Sequence, residues 1–189
     1  MIYARFLDFP FEHPAKEEPS WKGIVERWYQ LDPFAYGLAE AYTKWKPLPA
    51  PAMILLASPQ ASNETDFQFA TTGATSPAKF VHTLPNIRCS SLCQVMDWTG
   101  PVLCVQKDPS TLAHALREAL AFLEYGAGAP IWVVSAFRDE TGYRAQAFVL
   151  SRNASSESFA IRRNPQRPSF NSDRELQKCL DSNPEELIL

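Results

Sequence analysis

The residues of this sequence that could act as nucleophiles, bases or metal ligands are four cysteines, three histidines and a serine at the predicted start of a helix. A cysteine or serine nucleophile needs a base beside it and a position that favours its anion, such as a helix N-terminus. The stretch TGPVLCVQKDPSTLAHALREAL, at 99–120, is typical of such a position, since it predicts a short apolar strand, a tight turn and a long helix. Its turn, at 107–110, contains Ser110 but neither a cysteine nor a histidine.

The same turn is predicted to be closed to chemistry. Asp108 is a favourable N-cap, because its carboxylate can accept hydrogen bonds from the N–H groups of Ser110 or Thr111. Pro109 suits the first helical position, where no N–H group is required. A fixed negative charge would therefore occupy the place that a nucleophile or a bound anion would take.

The cysteines do not have the spacing of a metal site. Cys89 and Cys93 are four residues apart, so they share one face of a predicted helix, with His82 nearby in the sequence. A closed zinc site takes four ligands, usually as two close pairs, and Cys179 is too remote to supply a second pair. We therefore expect thiols that pack a helix face, and neither a metal nor a cofactor. Cys104 is expected inside a buried strand.

The histidines do not predict a catalytic base. His13 falls in a loop, His82 precedes a predicted helix, and His114 lies off the apolar stripe of a helix, at a surface or edge position. A local signature of a Ser-His-Asp enzyme, such as G-x-S-x-G, is absent from the sequence.

The composition is that of a soluble globular domain. The chain has 189 residues, of which 46% are apolar and 21% charged, enough for one well-buried core. The net charge of -3 gives no electrostatic case for binding nucleic acid or an anionic membrane. A run of about 18 apolar residues is absent, and the N-terminal residues lack the order of a secretory signal. A cytoplasmic location is the resulting expectation.

Apolar strands and amphipathic helices alternate along the chain, which predicts an α/β fold. Predicted helices cover 20–31, a second segment that starts at Asp32-Pro33, the region after Asn86, the stripe from Leu112 to Leu123, and a short final helix that opens with the capping box of Ser172 and Glu175. Predicted strands cover 2–9, 52–58, 101–106, 130–137, 144–151 and 158–163.

These elements predict a single domain with a mixed, mainly parallel sheet covered by helices. We expect the domain to span 1–163, followed at 164–189 by a polar linker and the short final helix.

Several short features follow one another in the segments SPAKFVHTLPNIRCSSLCQVMDWTGPVLCV, GAPIWVVSAF and YRAQAFVLS, within residues 50–151. They are Ser76-Pro77, Phe80, Asn86, Gly100-Pro101, the apolar strand at 102–105, and the Ala-rich strand at 145–150. Their order resembles that of the N-terminal half of the β-ketoacyl synthases of the thiolase superfamily. The resemblance implies a thiolase-like half.

The resemblance also implies that this chain is not an enzyme. The family's nucleophilic cysteine would fall at Asp108 or Pro109, neither of which is a nucleophile for condensation. The family's two catalytic histidines belong to a second, similar half, which this sequence does not contain. Chain length factors are the non-catalytic relatives within the family, and a truncated factor of the aryl polyene type is similar to this chain.

A chain length factor forms a heterodimer with an active β-ketoacyl-ACP synthase, stabilises it and shapes its acyl tunnel. By that resemblance, the partner interface is the strand of Pro101, Val102, Leu103, Cys104, Val105 and Gln106. The residues near the partner's pocket are Phe80, Val81, His82, Leu84 and Asn86.

Two alternatives remain at this stage. The chain could be an independent acyl-transfer or thioester-hydrolysing enzyme that uses Cys89, Cys93 or Ser110. It could also be a structural relic that binds an acyl carrier protein alone, whose acidic surface would meet a basic patch of Arg152, Arg162, Arg163 and Arg167.

Overall fold

The computed structural model describes residues 1–45, 47–58, 70–72, 84–107, 109–126, 128, 130–164, 170–182 and 184–189. Within these ranges the strands are β1 (Ile2–Phe11), β2 (Met53–Ala57), β3 (Val102–Val105), β4 (Ile131–Asp139), β5 (Gly142–Ser151), β6 (Ser158–Arg162) and β7 (Glu186–Ile188). The helices are α1 (Pro33–Trp45), α2 (Ser90–Met96), α3 (Thr111–Glu124) and α4 (Asp173–Asp181), with 3-10 turns at Trp28–Gln30 and Pro85–Cys89.

The strands of these ranges form one mixed sheet in the order β3-β2-β4-β5-β1-β6-β7. Strand β2 pairs in parallel with β3 and β4, and β6 pairs in parallel with β7. Strands β4 and β5 form an antiparallel hairpin, and β1 lies antiparallel between β5 and β6. The predicted α/β class with a mixed sheet is confirmed.

Helices cover both faces of the sheet. On one face α3 and α4 bury apolar side chains such as Leu116 and Leu176 against Phe148. On the other face α1 and α2 bury Leu38 and Leu92 against Trp132. Because the side chains of a strand alternate between faces, β4 and β5 contribute to both layers of the core.

The helix predicted at 20–31 is wrong. The segment forms successive turns, with a 3-10 turn at Trp28–Gln30. Trp21 and Val25 are buried as their spacing suggested, but they pack in a small cluster with Tyr36. Turns can bring side chains four residues apart to one side without a continuous helix, and Gly23 between them disfavours one.

One strand was missed by the sequence prediction. Strand β7 follows α4 and pairs with β6, and the neighbouring Leu187 and Leu189 are buried in the core beneath α3 and α4. Its apolar run is too short for a periodicity to be recognised. The helices of the described ranges include none that is long and apolar enough to cross a bilayer.

A buried ion pair fixes the start of α1, where the predicted Asp32 cap is confirmed. The Asp32 Oδ1 atom accepts hydrogen bonds from the N–H groups of Phe34 (2.8 Å) and Ala35 (3.1 Å). The other carboxylate oxygen lies 3.4 Å from Arg88 Nε. The Arg88 guanidinium also donates to Ser58 Oγ (3.2 Å) and lies over the Phe34 ring. These contacts join α1 to the end of β2 and to the turn before α2.

We expect Asp32→Ala to lower the free energy of unfolding by about 3–5 kcal/mol, because it removes the cap of α1 and leaves Arg88 buried without its counter-charge. Asp32→Asn, which keeps an acceptor oxygen for the cap, should lose less. Urea denaturation measures both effects.

The control for this pair is Glu118→Ala, which removes the partner of His114 in a more exposed contact of 3.7 Å on α3. That change should cost less than about 1 kcal/mol. An equally small loss for Asp32→Ala would contradict a stabilising role for the buried pair.

Candidate functional site

The turn before α3 is where the sequence suggested a nucleophile position. The helix begins at Thr111, and Ser110 is its N-cap, without a capping hydrogen bond from its own side chain. Pro109 therefore lies in the turn before the N-cap, and the prediction that it takes the first helical position is wrong. Thr111 Oγ1 accepts a hydrogen bond from Lys107 N (2.9 Å), which closes the turn. Asp108 lies outside the described residues, so its predicted capping role is not tested.

A carboxylate remote in sequence caps this helix. Asp173 accepts hydrogen bonds from Leu112 N (2.8 Å to Oδ1 and 3.0 Å to Oδ2) and from Ala113 N (3.2 Å to Oδ1). In turn, the Asp173 N–H group donates to Pro109 O at 2.8 Å. Asp173 is the first residue of α4, so its charge is favoured by the N-termini of two helices. The anion position at the start of α3 is thus occupied by the chain itself.

The start of α4 places Asp173, and the predicted capping box there is confirmed in its main hydrogen bond. Ser172 Oγ accepts from Glu175 N at 3.3 Å. The Glu175 carboxylate reaches back to Asn171 N (2.9 Å), one residue earlier than in the usual box. Leu176 and Leu180 bury the inner face of the helix. The capping box of Ser172 and Glu175 therefore predicts the start of α4, but no local pattern of the sequence predicts that α4 contacts α3.

The four cysteines differ in their burial and in their hydrogen bonds. Cys89 is buried, and the hydrogen bond that it shares with Cys93, together with burial, raises the pKa of its thiol well above the usual value. The same hydrogen bond lowers the pKa of the half-buried Cys93 thiol. Cys179 is half-buried against the core that α3 and α4 cover. Among the residues that the structure describes, no cluster of three or more His, Cys, Asp and Glu side chains could hold a metal ion.

The described histidines are engaged away from these thiols. His114 lies on α3 with its Nε2 atom 3.7 Å from Glu118 Oε1. The His13 ring lies beside the rings of Tyr36 and Tyr143. His82 lies outside the described residues. Neither described histidine is therefore placed as a base for Cys89 or Cys93.

The strand predicted as the partner interface lies at an edge of the sheet. Within the described residues β3 pairs with β2 alone. The flanking Pro101 and Gln106 are exposed, as are Leu103 and Cys104, while Val102 and Val105 are half-buried. The prediction that this strand and Cys104 are buried is therefore wrong. Its apolar composition is that of an interior strand, whereas its position leaves one edge uncovered.

The turn before α2 contains the described part of the predicted pocket. Leu84 and Asn86 are exposed at the start of the turn Pro85–Cys89, which lies against β3. Phe80, Val81 and His82 lie outside the described residues. The structure thus brings Leu84 and Asn86 to the same side of the molecule as the predicted interface strand.

Three of the four arginines that are predicted to form a basic patch have partners of their own. Arg152 donates to the carbonyl oxygen of Leu123. Arg162 lies 3.0 Å from a Glu186 oxygen, and Arg163 lies 3.2 Å from a Glu124 oxygen. Arg167 lies outside the described residues. Two of these arginines are therefore already paired with a carboxylate of this chain.

We expect Asp173→Ala to lower the free energy of unfolding by about 1–2 kcal/mol, because α3 loses the acceptor for two N–H groups and α4 loses an acidic first residue. Asp173→Asn should lose less, since an amide oxygen can still accept. Urea denaturation of the variants measures the difference. The neighbouring Arg174→Ala changes an exposed side chain and should have almost no effect; equal losses for Asp173→Ala and Arg174→Ala would contradict the capping role.

No family model matches the sequence, and no curated protein matches it significantly. Solved structures do match the fold. One is described as a ketosynthase (ApeO) in complex with its chain length factor (ApeC) from Xenorhabdus doucetiae, with a TM-score of 0.61 and 15% identity over 85% of this chain and 73% of that one. A second is the ishigamide ketosynthase/chain length factor, with a TM-score of 0.56 and 13% identity over 76% of this chain and 50% of that one.

A third structure is a β-ketoacyl synthase from Burkholderia phymatum, with a TM-score of 0.51 and 10% identity over 74% of this chain and 47% of that one. The chain thus spans about half the length of the second and third structures. At these identities the likeness concerns the fold. The chain has the ketosynthase-like fold found in ketosynthase and chain length factor structures.

Proposed function

We propose that this chain is a non-catalytic, chain-length-factor-like subunit that forms a heterodimer with an active β-ketoacyl-ACP synthase. In that role it stabilises the synthase and shapes its acyl tunnel in a fatty acid or polyketide-type pathway, of which aryl polyene synthesis is the narrower candidate. The complex would act in the cytoplasm. The observation that carries this proposal is the exposed apolar edge strand β3 on a ketosynthase-like fold.

An apolar edge strand is a ready template for pairing with another chain. Strand β3 has Leu103 at 41% exposure, and its outer backbone edge has no partner strand within the described residues. Antiparallel pairing with the corresponding strand of a synthase subunit would continue the sheet and cover this apolar edge. An obligate contact of this kind buries more than about 2,000 Å² in total.

The non-catalytic role is supported by the environment of α3. The Asp173 carboxylate already accepts the N–H groups of Leu112 and Ala113, which in an active enzyme could stabilise an anion. Of the residues named for an independent enzyme, Cys89 is buried with a raised pKa. Ser110 is the N-cap of α3. Cys93 has a lowered pKa, but the described histidines lie against other groups.

The tunnel-shaping role is proposed for the segment that leads into the turn at Pro85–Cys89. Leu84 is exposed beside β3, where a bulky apolar side chain would meet a partner that pairs with that strand. Phe80, Val81 and His82 belong to the same proposal, although they lie outside the described residues. A packed tunnel end resists even one extra methylene group, so such side chains would limit the length of the acyl chain.

An acyl carrier protein is a further proposed partner. Its acidic surface would have to compete with Glu186 for Arg162 and with Glu124 for Arg163. These side chains are partly exposed, so the exchange of one carboxylate for another would cost little.

We expect Leu103→Asp to abolish the complex with a ketosynthase that is encoded beside this chain. A buried carboxylate without a counter-charge at a strand pairing costs about 3 kcal/mol or more, which is roughly a hundredfold in affinity. Co-expression followed by size-exclusion chromatography measures assembly.

Condensing activity with acyl and malonyl carrier protein should require the ketosynthase and be absent from this chain alone.

The matched control is Ile188→Asp. Ile188 has the same 41% exposure on β7, at the opposite edge of the sheet, and its replacement should leave the complex intact. A stable monomer that does not bind the ketosynthase would contradict the proposal. A dimer of this chain alone that Leu103→Asp disrupts would assign the edge to a second copy instead.

We expect Leu84→Ala to lengthen the products of the assembled complex, because removal of a bulky side chain extends the tunnel end. Mass spectrometry of the released acyl chains measures the distribution. Ile24→Ala is the control, since Ile24 is exposed to a similar degree (53% against 54% for Leu84) in the turns before α1. An unchanged distribution from an intact Leu84→Ala complex would mean that this residue does not shape the tunnel.

A further inference from the structure

A cleft of about 440 Å³ lies between the β4–β5 hairpin and the N-termini of α3 and α4. Its walls include Leu112 from α3 and Phe137 from β4. Across its mouth the Arg174 guanidinium lies 3.8 Å from a carboxylate oxygen of Glu140. The described lining residues all belong to this chain.

Two polar side chains form the floor of the cleft. Ser135 and Gln146 lie directly opposite each other in the antiparallel pairing of β4 and β5. Their exposures are 1% and 0%, and the Ser135 Oγ and Gln146 Oε1 atoms have no hydrogen-bond partner among the residues that the structure describes. The Gln146 Nε2 atom donates to Gln177 Oε1 at 2.7 Å, and Gln177 Nε2 donates to Asp181 Oδ1 at 2.9 Å. Because Gln177 donates its amide N–H to Asp181, its amide oxygen faces Gln146. Gln146 therefore directs its Nε2 atom to Gln177, and its Oε1 atom is the one left without a described partner.

Buried polar atoms without partners are rare in proteins, because each one loses its hydrogen bonds to water. Apolar side chains at both positions would avoid that cost and would continue the core on this face. A ligand that supplies the missing hydrogen bonds explains why a hydroxyl and an amide oxygen lie side by side there.

The charged side chains that line the cleft are engaged within the chain. Asp173 caps α3, Arg174 lies beside Glu140, Asp139 accepts hydrogen bonds from Thr141, and Arg138 lies over the ring of Tyr143. Ser135 and Gln146 are uncharged, and an ion placed against them would be desolvated without a counter-charge. These contacts favour a ligand that is neutral where it meets the floor, and apolar where it meets Phe137 and Leu112.

We propose that this cleft binds an uncharged, largely apolar small molecule that carries an amide group. The amide N–H donates to Gln146 Oε1, and the amide C=O accepts from the Ser135 hydroxyl. Side chains directly opposite each other on antiparallel strands are close enough for one such group to meet both. The volume falls within the range of small-molecule sites.

The test compares two probes of nearly identical shape on the full 189-residue chain. N-benzylacetamide has the N–H donor, and benzyl acetate replaces it with an ester oxygen. Ligand-observed NMR titration should show binding of the amide that is about five- to tenfold tighter than that of the ester. The Ser135→Ala variant should bind N-benzylacetamide more weakly than the native chain by a similar factor.

Stability separates a ligand site from a structural one. Without ligand, Ser135→Ala should be as stable as the native chain or more so, since it removes a buried hydroxyl that has no partner. The control is Ser91→Ala, at a buried serine whose Oγ donates to Ala35 O at 2.7 Å on the other face of the sheet. That variant should lose stability and keep its affinity for the amide.

Three results would overturn the proposal. They are equal affinities for the amide and the ester, no binding of the amide at millimolar concentrations, and an unchanged amide affinity in Ser135→Ala.

Discussion

The carboxylate of Asp173 lies between the N-termini of α3 and α4, where it accepts hydrogen bonds from Leu112 and Ala113 while its own N–H group donates to Pro109. The positive ends of two helix dipoles meet at this residue, so its negative charge stabilises both. The contact also fixes the direction of α4, which leads the chain back to the sheet and into β7. The closed turn before α3 and one wall of the cleft above Ser135 both follow from where this carboxylate lies.

The two ends of the sheet differ in what they offer to another molecule. Strand β7 is short and is the next element after α4, and Arg162 of the neighbouring β6 forms an ion pair with Glu186 of β7. Strand β3 is apolar throughout and is followed by the turn that leads into α3. An edge of the second kind exposes both backbone groups and apolar side chains, which favours pairing with a partner. The cleft lies elsewhere, at the β4–β5 hairpin, so a subunit contact at β3 and a small ligand at Ser135 would not compete for the same surface.

The likeness to ketosynthase and chain length factor structures persists at 15% identity or less. What such structures share is the order and packing of the elements, which many apolar side chains can satisfy provided that volume and pattern are kept. The polar contacts of this chain are more particular. The ion pair of Asp32 with Arg88 and the cap at Asp173 each depend on donors and acceptors at fixed positions.

The sequence by itself determined the features that arise from local hydrogen bonds and from the periodicity of apolar residues. The cap at Asp32, the apolar stripe of α3 and the strands around the β4–β5 hairpin were predicted because residues near each other in the chain specify them. The prediction failed at 20–31, where residues at helical spacing lie in successive turns, and it missed β7, whose apolar run is too short for a periodicity.

Only the tertiary structure decided the features that join residues far apart in the sequence. An apolar run such as β3 has the same composition in the middle of a sheet as at its edge, so its exposure depends on which strands pair. Asp173 caps a helix that begins about sixty residues earlier, and Ser135 faces Gln146 because of the register of a hairpin. Local propensity carries no information about such contacts, since packing of the whole sheet and its helices brings the groups together.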